Sequence, residues 1–68
     1  MNGGEHARHH KSWLIEPQSY QPDGDRWRPK AMVSIFPVLA PPGVMFDTEQ
    51  DADAFAIKMA KKWIDDRG

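Results

Sequence analysis

At 68 residues, with 9 Lys plus Arg against 10 Asp plus Glu and a formal net charge of -1, the chain is too short for several domains and too balanced to hold nucleic acid by bulk positive charge. It has no cysteine, which excludes disulfides, thiolate metal sites and a cysteine nucleophile. The 40% hydrophobic and 28% charged content is that of a soluble globular chain. No apolar run approaches the ~20 residues of a membrane-spanning helix, and the N-terminus carries no apolar signal core, so a cytoplasmic protein is expected.

Met1 to Lys11 (MNGGEHARHHK) holds no large apolar residue beyond Met1. Such a stretch cannot offset its own ordering entropy and is expected to be a flexible tail, leaving 12–67 as the single domain. Ser12 to Tyr20 (SWLIEPQSY) predicts a short strand with Trp13 and Ile15 on one face and Leu14 and Glu16 on the other. Pro17 lacks an amide hydrogen, which pushes that strand toward a sheet edge or a bulge. Gln21 to Asp25 (QPDGD) predicts a turn, with Pro22 presetting φ and Gly24 supplying a positive φ.

Arg26 to Pro37 (RWRPKAMVSIFP) alternates with period two and predicts the central strand. Trp27, Ala31, Val33 and Ile35 would share one face, and Met32, Ser34 and Phe36 the other. Val38 to Gly43 then turns the chain, Pro42-Gly43 fitting the middle of a type II turn, and Val44 to Phe46 predicts a short third strand.

Thr48 is a good helix N-cap, with Asp51 three residues on at the reciprocal capping-box position. Glu49, Asp51 and Asp53 crowd the first turn, where carboxylates meet the positive end of the helix dipole. From there to about Asp66, Ala52, Phe55, Ala56, Met59, Ala60 and Trp63 form one apolar stripe. The expected fold is α+β, a three-stranded antiparallel β-meander packed on one C-terminal α-helix (β-β-β-α).

Chemistry-bearing residues are few. Glu5, His6, His9 and His10 are the only group with metal-ligand chemistry, but a tail gives no rigid support to ligands, so no metal or cofactor is expected. Arg26, Arg28 and Lys30 would form a modest positive stripe on one strand face, with Trp27 on the other, a composition that can grip phosphates and stack bases. The carboxylate pairs Asp51/Asp53 and Asp65/Asp66 diverge around the helix, and no nucleophile elbow or phosphate loop is present. An enzyme is not expected.

Ile57 and Ile64 sit beside the apolar stripe rather than within it, either as its broad rim or as an exposed ridge. One helix can cover only one face of a sheet, so an apolar set that includes Leu14, Met32 and Phe36, or else the opposite set, stays open. Ile57, Ile64, Met32 and Phe36 are therefore the candidate interaction surface.

The segments G-D-R-W-R-P at 24–29, F-D-T-E-Q-D-A-D-A-F-A at 46–56 and K-K-W-I-D at 61–65 resemble a group of small uncharacterised bacterial proteins. Their shared pattern is a Gly-x-Trp hairpin, a Phe-x-Thr cap and an Ala-rich helix ending in Trp-Ile-Asp, and the resemblance spans 12–66. In outline that group is similar to the sheet-plus-helix units of HicB-type antitoxins and of double-stranded-RNA-binding domains. The chain lacks the first helix of those folds, and Asp51 and Asp53 stand where their lysine-rich loop would meet phosphate. The resemblance therefore implies a fold and assigns no function. The leading functional expectation is a non-enzymatic interaction module, binding an unknown protein partner or a second copy as a homodimer. The alternative is a weak nucleic-acid binder using Arg26, Arg28 and Lys30.

Overall fold

The computed structural model describes residues 8–67. Four strands, β1 (Arg8–His10), β2 (Trp13–Pro17), β3 (Lys30–Val33) and β4 (Phe36–Leu39), form one antiparallel sheet in chain order, and α1 (Glu49–Arg67) packs on one side of it. The class is α+β in two layers, with four strands rather than three.

The extra strand comes from the segment read as a tail. Lys11 and Ser12 both adopt positive φ (51° and 72°), so the chain reverses in two residues and His10 comes to pair with Trp13. Positive φ at both central positions is the type I′ geometry, which matches strand twist but normally recruits Asn and Gly. Neither is present here, so the local signal is silent. Residues 1–7 of the expected tail lie outside the described residues.

The expected long strand over 26–37 is instead the end of an irregular segment followed by a hairpin. Regular pairing starts at Lys30, beyond the buried ring of Pro29, and the chain reverses at Ser34-Ile35. Ser34 carries a positive φ of 55°, the condition a type II′ turn sets at its first central position. The expected third strand at 44–46 reduces to a single bridge, in which Trp27 and Phe46 exchange backbone hydrogen bonds of 2.8 and 2.9 Å.

The Gly-containing turns form as expected. Gly24 has φ 72° and its amide donates to the Gln21 carbonyl (3.4 Å); Gly43 has φ 88°, and the Val44 amide donates to the Pro41 carbonyl (3.3 Å). The helix cap forms too, with the Asp51 amide donating to Thr48 Oγ1 at 3.2 Å.

The core lies between sheet and helix. Ile15, Ala31, Val33 and Val38 face a helix line of Ala56, Ala60 and Ile64. The buried helix positions, Ala52, Ala56, Ala60 and Ile64, recur every fourth residue. Their small side chains let the helix backbone approach the sheet, and the bulkier neighbours are displaced to the flanks. Met59 and Trp63 pack partly buried on one flank, Ile57 on the other. The contact is thus centred between the expected stripe and Ile57/Ile64. Ile64 belongs to the core at 1% exposure, which removes the exposed Ile57/Ile64 ridge.

Candidate interaction surface

Strand alternation and register sort the sheet residues by face. Trp13, Ile15 and Pro17 on β2, Ala31 and Val33 on β3, and Phe36 and Val38 on β4 face the helix. Leu14 and Glu16, Lys30 and Met32, and Pro37 and Leu39 face the other way. No second layer covers this reverse side among the described residues, which form a slab 34 × 30 × 17 Å. Leu14 is 41% and Leu39 57% exposed, with Met32 half-buried between their strands. Glu16 is exposed, and it accepts a long hydrogen bond (3.4 Å) from the Gln18 side-chain amide on the same side of the strand. Neither Glu16 nor Lys30 meets an opposite charge among the described residues.

The four expected surface residues part company. Met32 lies on the open face. Phe36 does not, because the reversal at Ser34-Ile35 sets it opposite Val33 and on the helix side. Its ring stands 5.7 Å from Trp63 and 6.4 Å from Trp13, and the two indoles meet edge to face at 5.9 Å. Arg67 stacks its guanidinium 4.0 Å from the Trp63 ring centroid. This aromatic trio closes one end of the core, and Phe36 remains 44% exposed at its rim. Ile57 and Ile64 pack into the core contact as described above. Ile35 projects at the adjacent turn, 80% exposed.

The three expected nucleic-acid contacts do not converge either. The Arg28 guanidinium donates to the carbonyls of Val44 (2.9 Å), Pro41 (3.1 Å) and Ala40 (3.3 Å), so it clasps the loop between β4 and the helix. Arg26 pairs loosely with Asp47 (3.8 Å) in an exposed setting, and Lys30 stands on the open sheet face beside Leu39. The strand face on which the stripe depended exists only from Lys30 onward.

Of the histidine group, His9 pairs across to Leu14 at the exposed outer strand, while His10 turns to the helix side. A His10 ring nitrogen lies 2.8 Å from Asp65 Oδ1, and Lys11 Nζ reaches the same oxygen at 3.0 Å. These hydrogen bonds, His10 first and Lys11 second, hold the Asp65 carboxyl below its ordinary value of 3.8. They fasten β1 to the end of α1. Glu5 and His6 lie outside the described residues, and no cluster of three metal-ligating side chains occurs among the described residues.

Near the other end of the helix, Phe46, Asp51, Ala54, Phe55 and Lys58 line an open concavity of about 290 Å³. It offers two phenyl rings, 5.5 Å apart, and one charge of each sign, with no nucleophile in its lining. No helix among the described residues is long and apolar enough to cross a membrane.

Leu39 was invisible as a surface residue in the sequence because 38–43 reads as a turn, and Pro37 because an unbroken 26–37 strand puts it on the face opposite Met32, whereas the reversal at Ser34-Ile35 pairs it with Met32. The available signal was the F-P-V-L alternation, whose proline suits an edge strand. No protein-family model, curated protein or solved structure matches the chain.

Proposed function

We propose that the chain is a non-enzymatic interaction module whose binding surface is the open side of its sheet, with Leu14, Met32, Pro37 and Leu39 as the apolar contact. The observation that carries this reading is the pair of leucines left 41% and 57% exposed on a face that no other element among the described residues covers. Burying such side chains against a partner removes apolar surface from water at roughly 25 cal/mol per Å², the main driving term in association. Glu16, Gln18 and Lys30 border the leucines and supply the polar rim that fixes orientation.

The test is photo-crosslinking of the folded chain with a benzophenone amino acid at position 39, and at the outward helix position 61 as control. Adducts with protein should form from position 39 and disappear in Met32→Lys, while circular dichroism keeps the wild-type spectrum. Equal adducts from both positions, or adducts indifferent to Met32→Lys, would remove the sheet face as the binding surface.

A further inference from the structure

Resting on that reading, we infer that the partner on the open face is a second copy of this chain, related by a two-fold axis that passes beside Met32. The register carries the inference. At ~3.3 Å per residue along a strand and ~4.8 Å between strands, Leu14, one strand in from His9 on β1, and Leu39 lie ~16 Å apart at opposite ends of the apolar patch, with Met32 midway between them. Glu16 and Lys30 lie ~8 Å apart on the same side of that diagonal and at nearly equal distances from it.

A two-fold axis in the plane between two such faces, crossing the diagonal close to Met32, has several consequences at once. It sets each Leu14 over the partner's Leu39 and each Glu16 over the partner's Lys30, and it brings Met32 against its own counterpart. Pro37 and Gln18 both fall near the axis and also meet their counterparts. Apolar side chains thus meet apolar ones, the amide meets an amide, and each charge meets its opposite. This self-complementarity is what an isologous interface requires of one patch. The strands of the two sheets cross steeply, in the orthogonal class of sheet packing. The patch has fewer side chains than the ~20–30 residues per side of a standard interface, so the dimer is weak and concentration-dependent.

The experiment uses sedimentation equilibrium of the full chain at low salt, up to about 1 mM, with wild type, E16K, K30E, their equimolar mixture, and M32K. Wild type should dimerise in the upper part of that range. E16K and K30E alone each place like charges at both symmetric contacts and should associate about tenfold more weakly or worse. In the mixture both contacts become Lys–Glu again, so a heterodimer should form at close to wild-type strength. That rescue cannot come from a charge pair within one chain.

A wild type that stays monomeric at the highest concentration overturns the second-copy partner. If M32K-sensitive photo-adducts with another protein persist in that case, the binding face itself still stands. A wild-type dimer abolished by M32K but indifferent to the charge changes overturns the two-fold arrangement while supporting the face. A dimer indifferent to M32K as well removes both proposals.

Discussion

Ile64 is a branched side chain at 1% exposure, packed with Ile15, Val33 and the helix alanines. Truncating it to alanine removes three carbons from a close-packed site and should cost about 2–5 kcal/mol, comparable to the whole stability of so small a domain. Urea denaturation of Ile64→Ala should therefore show a large loss in midpoint, and Ile64→Lys should not fold at all. Asp65 belongs to the same turn of the helix but acts through charge. Its carboxyl is held below 3.8 by hydrogen bonds from His10 and Lys11. A group whose folded pKa is depressed stabilises above its unfolded value, and that contribution is lost as pH falls through the folded value. Thermal melting of wild type should accordingly lose more than Asp65→Asn as pH drops from about 4 toward 2, the range just below the ordinary carboxylate pKa. Parallel acid limbs in the two proteins would mean that the pairs at 2.8 and 3.0 Å contribute nothing to holding β1.

At the scale of elements, the hairpin of β1 and β2 is closed by Lys11 and Ser12 in conformations that side chains other than glycine and asparagine seldom adopt. Ser12→Gly relieves one of them and leaves Lys11 free to keep its contact with Asp65. It should raise unfolding stability by about 1 kcal/mol, read as an increase in melting temperature. A decrease would mean that the turn has another geometry. The same residues explain what could be read in advance. Gly24, Gly43 and Thr48 were legible because each acts within four residues, through a positive φ or a cap bond. The reversals at Lys11-Ser12 and Ser34-Ile35 were not, since nothing local favours those residue types in such turns. The missed turn at Ser34 also misplaced Phe36, because a reversal resets which side chains point to which face. The candidate surface was legible in part: alternation groups Leu14 with Met32, but which set stays open was decided by the helix, and Leu39 required knowing that 36–39 pairs with 30–33.

At the scale of the whole molecule, one helix of about 28 Å, at 1.5 Å per residue, lies across a four-stranded sheet and leaves the reverse side open among the described residues. The alanines at 52, 56 and 60 decide how closely the two layers approach, and so which larger residues are pushed to the flanks. Composition, charge, the glycine turns and the capped amphipathic helix are local or additive properties, and the sequence alone determined the α+β class from them. The fourth strand, the burial of Ile64, the clasp made by Arg28 and the membership of the open face were decided only by the tertiary structure. Each of these depends on register and on rotation about the helix axis. Both are set by contacts between residues far apart in the chain, which no local pattern encodes.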